Sequence, residues 1–119
     1  LAKMCNGHVV IFTGGTGNPY FTTDTAACLR GLELQVDIIL KATNVDGIYS
    51  SDPKKDATAT KFDAVSFDQV LEKQLGVMDL TAIVLCKENN MPLVVFDASV
   101  KGALLALTAG QSIGTKVVQ

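Results

Sequence analysis

Apolar positions along this 119-residue chain gather in short runs separated by polar, glycine-bearing stretches. Residues 8–13 carry Val9-Val10-Ile11-Phe12, a continuous apolar run with the length of a buried strand. Thr22-Thr23-Asp24 then supplies helix-capping residues, and Ala27, Cys28, Leu29, Leu32 and Leu34 follow, so a helix is expected over about residues 24–35. Asp37-Ile38-Ile39-Leu40-Lys41-Ala42 is expected as a second buried strand. Strand, helix and strand in that order predict a right-handed parallel βαβ unit. Residues 43–60 are polar and turn-rich, with a hairpin-type signal at Asp46-Gly47 and an exposed loop around Asp52-Pro53, whose Lys54 and Lys55 form a solvated face. A short strand at 61–65 leads into a helix capped by Ser66, running to about Gln74 and closed by Gly76. Asp79 caps the next helix, with Leu80, Ile83, Val84 and Leu85 turned inward and Asn89-Asn90 at its end. Residues 92–96 are a further buried strand, 100–109 a last helix ended by Gly110, and 114–118 an edge strand. Such alternation predicts a layered α/β fold.

Composition narrows the classes. The length suits one compact domain, and 48% hydrophobic residues can build a real core. No apolar run reaches the roughly 18 residues of a membrane-spanning helix, and nothing at the start resembles a signal peptide. The formal charge of −2 argues against a general nucleic-acid or anionic-membrane surface. Cys5, Cys28 and Cys86 show neither zinc spacing nor a disulfide framework. Free thiols in apolar surroundings suit a reducing cytoplasm, with Cys28 and Cys86 as core filler. His8, the one histidine of the chain, makes a weak case for nucleophilic or metal chemistry and is read as structural. The chain starts at Leu1 rather than Met, which hints at a fragment or a processed product.

The chemistry concentrates in Gly14-Gly15-Thr16-Gly17-Asn18-Pro19-Tyr20-Phe21-Thr22-Thr23-Asp24. An apolar run entering a glycine- and threonine-rich loop and then a helix start is the usual geometry of an anion or nucleotide site. Backbone N–H groups, hydroxyls and the helix N-terminus all donate there. The dinucleotide fingerprint fails, because counting from Gly15 its sixth place holds Tyr20. No Gly-Lys-Ser/Thr or Gly-x-Ser-x-Gly occurs. From the residues alone the loop is a polar ligand site of unassigned type, with a plain strand-to-helix connection as the alternative.

Gly15 to Asp24, then Ala26-Ala27-Cys28-Leu29-Arg30-Gly31, Lys41-Ala42-Thr43-Asn44-Val45-Asp46-Gly47-Ile48-Tyr49, Asp52-Pro53 and Val77-Met78-Asp79-Leu80 together resemble the bacterial UMP kinases (uridylate kinases). Those enzymes belong to the amino acid kinase superfamily. The resemblance runs in order along nearly the whole chain. It implies a three-layer α-β-α amino acid kinase-like fold with a mainly parallel sheet, of which residues 1–119 form the C-terminal, nucleotide-binding portion. The family's phosphate-loop lysine, second glycine-rich loop and phosphate-binding arginine have no counterpart here, so turnover by the chain alone is not expected.

By the resemblance, Thr16, Gly17, Asn18, Pro19, Tyr20, Phe21, Thr22 and Thr23 bind UMP, and Asp24 organises the reacting phosphates. Helix capping by Thr22 and Thr23, and a helix N-terminal charge at Asp24, are the alternatives. Thr43, Asn44, Tyr49 and Asp52 match the ATP-binding positions. Tyr49 can lie against adenine, and the other three offer polar edges to base and ribose. An Asp-Pro turn and loop chemistry are the alternatives for Asp52 and Asn44. Lys41 and Asp79 stay open between phosphate organisation and, respectively, a solvent-reaching strand end and a helix cap. The implied reaction is phosphoryl transfer from ATP to UMP, with Mg²⁺ accompanying ATP and no separate metal site. Further implications are pyrimidine biosynthesis in the cytoplasm, a homo-oligomer (a hexamer in the family) and GTP and UTP as effectors. Two other readings remain: a non-catalytic nucleotide-binding fragment, and a relative that forms an acyl phosphate.

Overall fold

The structure is a computed structural model that describes Met4 and residues 6–119. The expectations that concerned Leu1 and Cys5 lie outside the described residues. In chain order the elements are α1 (Thr23–Leu34), β1 (Ile39–Thr43), β2 (Ala64–Ser66), α2 (Phe67–Glu72), α3 (Leu80–Glu88), β3 (Leu93–Asp97), α4 (Ala103–Thr108) and β4 (Thr115–Val118). The sheet order is β1-β3-β4-β2. The β1–β3 and β2–β4 pairs are parallel, and β3–β4 is antiparallel.

Within the sheet, β3 is covered on both faces. Its residues Leu93, Val94, Val95 and Phe96 are all buried, as a strand with two packed faces requires. Leu93 and Val95 join Cys28, Phe67, Ile83 and Cys86 from α1, α2 and α3. Val94 and Phe96 turn the other way, toward Ala103 and Leu107 of α4. The result is the three-layer α/β arrangement with a mostly parallel sheet.

Caps set the helix boundaries. Ser66 forms a reciprocal capping box with Gln69 at the start of α2. Gln35, in the left-handed region at φ 54°, closes α1. Cys28 of α1 and Cys86 of α3 face each other with both side chains buried and their Sγ atoms 3.2 Å apart. The hydrogen bond to Cys86, with burial, holds the Cys28 thiol far above its ordinary pKa. The pair packs between two helices, as core filler should.

Several expectations are corrected. Residues 8–13 form no strand: Val9 is 95% and Ile11 85% exposed. A strand needs a hydrogen-bonded neighbour, and among the described strands β1 pairs only with β3. The βαβ unit built on 8–13 is therefore absent, and the parallel neighbour of β1 arrives much later in the chain. The C-terminal strand is not an edge; β4 lies between β3 and β2. In α3, Ala82, Ile83 and Cys86 face the core, while Leu80 and Val84 are exposed. A period of 3.6 residues places 82, 83 and 86 on one stripe and 80 and 84 on the flank. The helix expected over 100–109 is shorter, because Gly102 at φ 85° forms its N-cap. Likewise α2 stops at Glu72, before Gln74 enters the left-handed region. Among the described residues no helix is long and apolar enough to cross a membrane.

Candidate functional site

Two helix starts meet at one carboxylate. Thr22 is the N-cap of α1, and its side-chain oxygen accepts from the amides of Asp24 (3.2 Å) and Thr25 (3.4 Å). The same hydroxyl donates to Asp79. Asp79 is the N-cap of α3, accepting from the Ala82 amide at 2.8 Å, and it also accepts from the Thr25 hydroxyl at 3.2 Å. Burial disfavours charge on Asp79. The bonds from Thr22, the Ala82 amide, Thr25 and the Thr81 amide outweigh that and hold its carboxyl below the ordinary value.

One residue into α1, Asp24 forms an ion pair with Lys41 of β1, and both side chains are mostly covered. Thr22, Asp24, Lys41 and Asp79 are thus brought into one connected cluster from three elements. It joins two helix starts, two carboxylates and a lysine, and Lys41 is its group able to meet phosphate oxygens. Capping, the alternative weighed for Thr22 and Asp79, is present in both. Asp79 in addition ties α1 to α3, so it fixes where Thr22 stands. Lys41 does not run out to solvent; Asp24 holds it.

The loop before α1 is built differently. Gly14, Gly15 and Gly17 all take positive φ, a conformation that bends the chain sharply and that side chains resist. Thr16 and Asn18 bond each other locally, the Asn18 amide reaching Thr16 Oγ1 at 3.1 Å. Tyr20 is fully exposed at φ 69°, and Phe21 is half exposed. Gly17, Asn18 and Pro19 also face solvent, as does Thr23 at the first position of α1. Gly14, Gly15 and Thr23 border an open cavity of about 670 Å³ whose other wall includes Val10, Phe12 and Ala26.

A second cleft, of about 620 Å³, takes Thr43, Tyr49 and Asp52 into its lining. Asn44 is exposed and stands outside that lining. The Tyr49 hydroxyl donates to Asp46 at 2.8 Å, which raises its pKa and fixes the ring at the rim. Asp52 accepts from the Lys54 amide at 2.9 Å, so its turn role is real. Thr43 steadies the end of β1 by accepting from the Val45 amide at 2.9 Å. On the opposite wall, Lys73, Gln74 and Gly76 were missed in the sequence, where they read only as a helix end, and Val77 entered only through the family resemblance. Lys73 lies 5.6 Å from the centre of the Phe62 ring and is the basic residue of the lining. The turn residues between α2 and α3 were the available signal. Among the described residues no three His, Cys, Asp or Glu side chains gather to hold a metal.

The pattern of the amino acid kinase family matches residues 1–97. The chain belongs to the amino acid kinase family. Within that family it is similar to the uridylate kinase of Alcanivorax borkumensis, 62% identical over 112 residues, or 94% of this chain and 44% of that protein. The UMP kinase structure from Bacillus anthracis superposes with a TM-score of 0.95 at 34% identity, covering 98% of this chain and 48% of that one. The Ureaplasma parvum UMP kinase gives 0.91 at 39% identity, covering 99% and 51%. The chain spans about half the length of the curated relatives it matches. This amino acid kinase portion therefore keeps its relatives' fold within the shared region, and both clusters described above lie in that region.

Proposed function

We propose that this chain is the nucleotide-binding portion of a UMP kinase, transferring the γ-phosphoryl group of ATP to UMP. The observation that carries the reading is the Asp24–Lys41 pair joined at the start of α1 to the Thr22–Asp79 cap. The likeness to uridylate kinases supports the choice of nucleotide.

In this reading the α-phosphate oxygen of UMP attacks the γ-phosphorus of ATP, a new O–P bond forms, and ADP leaves. A phosphate oxygen is already a nucleophile, so the protein's work is alignment and charge neutralisation rather than base catalysis. Residues 16–23 hold UMP through amides and hydroxyls, and the cleft at Thr43, Tyr49 and Asp52 receives ATP. Lys41 supplies positive charge to the phosphates, Asp24 aims that lysine, and Asp79 acts through Thr22 as a positioning residue. Magnesium enters as MgATP, and we assign no resident metal site. We extend to the whole protein a homo-oligomeric state, effector binding by GTP and UTP, and a cytoplasmic place in pyrimidine synthesis; the resemblance supports these.

Titration with UMP, followed by backbone amide NMR, tests the reading. Shifts confined to Gly14–Asp24 are expected, and a second set around Thr43–Asp52 with ATP. A dispersed spectrum indifferent to both nucleotides would refute these site assignments for the chain alone. A panel of UMP, aspartate, glutamate and carbamate, offered to the complete polypeptide in which this sequence occurs, separates nucleotide from acyl-phosphate chemistry. Phosphorylation of aspartate or glutamate but not UMP would overturn the assignment.

A further inference from the structure

We infer that Thr115, a buried residue of β4 outside the cleft, is the positioning residue that sets the ATP cleft's loop. The inference rests on the assignment of that cleft to ATP.

The loop carrying Tyr49 and Asp52 leaves the body of the protein and returns through a narrow neck at Ile48 and Phe62. In an ordinary antiparallel pair two such residues exchange both N–H···O=C bonds. Here one rung is present: the Phe62 amide donates to the Ile48 carbonyl at 2.9 Å. The other is replaced by a side chain. The Ile48 amide donates to Thr115 Oγ1 at 2.8 Å, and the Thr115 hydroxyl donates to the Phe62 carbonyl. Thr115 is wholly buried, so no water competes for these bonds. The hydroxyl, acting as donor and acceptor at once, wedges the neck open and fastens it to the sheet.

The surroundings leave that wedge little room. A Cβ on Gly47 would stand 2.5 Å from Thr115 Oγ1 and 3.0 Å from the Lys61 side chain. On the sheet side, Thr115 is in register with Val95, and the preceding Gly114 passes so close to the Val95 carbonyl that a side chain there would collide with it. Thr115 is therefore held between β3 and the loop. Beyond the neck, Tyr49 bridges Lys61, and the Ser50 amide donates to the Thr60 carbonyl at 2.9 Å. Whatever moves Ile48 moves Tyr49, its neighbour in sequence and in the cleft lining. Losing the hydroxyl leaves a buried amide and a buried carbonyl to re-pair directly or go unpaired, and either outcome shifts the neck.

The test compares Thr115→Val, which keeps the shape, with Thr115→Ser, which keeps the hydroxyl, in the complete polypeptide. Thr115→Val is expected to raise the KM for ATP about tenfold, equivalent to ~1.4 kcal/mol. The KM for UMP and kcat at saturating ATP should change less than about twofold, and Thr115→Ser should restore the ATP value. The Ile48 amide should exchange its hydrogen faster in the Val variant. A folded Val variant with unchanged ATP KM, or with both KM values raised alike, overturns the inference. Should the Val variant not fold, Gly47→Ala probes the same anchor from the loop side, and an unchanged ATP KM there overturns it too. Wild-type protein with no ATP dependence defeats the cleft assignment and the anchor's functional role together. A responsive wild type beside an indifferent variant defeats the anchor alone.

Discussion

Residues on either side of Thr22 belong to one continuous motif, yet the structure treats them in opposite ways. From Thr22 onward, side chains are tied across elements: Thr22 and Thr25 to Asp79 of the α3 cap, and Asp24 to Lys41 of β1. Before Thr22, the loop from Gly14 to Phe21 has the local Thr16–Asn18 bonds and a fully exposed Tyr20. The first part is pre-organised and its order is linked to folding. The second keeps its polar groups facing solvent, where a ligand can collect them. The motif is thus firmly tied on one side of Thr22 and locally bonded and exposed on the other, and substitutions should separate the two.

The largest effect is expected at Asp24. Asp24→Asn removes the charge that aims Lys41, and turnover by the complete polypeptide should fall by at least tenfold, about 1.4 kcal/mol in barrier height. The Asp24–Lys41 pair is partly exposed, so stability should fall by no more than ~1 kcal/mol. Normal turnover with lost folding would make Asp24 a cap and nothing more.

Asp79→Ala comes next and should act mainly on stability. It removes an N-cap and leaves Thr22 and Thr25 without their acceptor, at a cost of about 1–2 kcal/mol in urea unfolding. The pH dependence has a defined sign. Native hydrogen bonds hold the Asp79 carboxyl below its ordinary value of about 3.9, so its contribution is present above that pH and is lost as pH falls through the lower native value. Acid titration of Asp79→Asn should lack that part of the wild-type loss. Identical acid profiles would show that the cap carries no charge-dependent stability.

Tyr49→Ala sharpens the comparison by probing the loop that rises from the neck at Ile48 and Phe62. The apparent KM for ATP should rise several-fold, on the order of 1 kcal/mol, with little change for UMP. Equal effects on both substrates would undo the adenine assignment. The smallest effect belongs to the exposed side of the motif: Tyr20→Ala should leave the unfolding midpoint within about 0.5 kcal/mol of wild type. A larger loss would mean that Tyr20 packs against something the loop's exposure does not show.

Much of the architecture was legible along the chain because local chemistry dictated it. Thr22, Ser66 and Asp79 announce helix starts through side-chain oxygens that reach amides two or three residues away, and all three cap as expected. The run Leu93–Phe96 could be buried only as a two-faced strand. The apolar run Val9–Phe12 misled for the complementary reason. Its composition is that of a strand, but strand formation depends on a neighbour that local composition cannot supply. The cleft divided along the same line. Thr43, Tyr49 and Asp52 stood out by motif, whereas Lys73, Gln74 and Gly76 reach the opposite wall only because the α2–α3 turn folds back over the loop.

By itself the sequence determined the helix caps, the mixed α/β class and the family resemblance. Each depends on interactions within a few residues or on a pattern readable in order. Only the tertiary structure decided that β4 runs inside the sheet, that Asp79 joins two helix starts, that Asp24 holds Lys41, and that Thr115 stands in for a missing rung. Those contacts link residues 17 to 67 positions apart. Their geometry is set by how the layers pack, which no local pattern encodes.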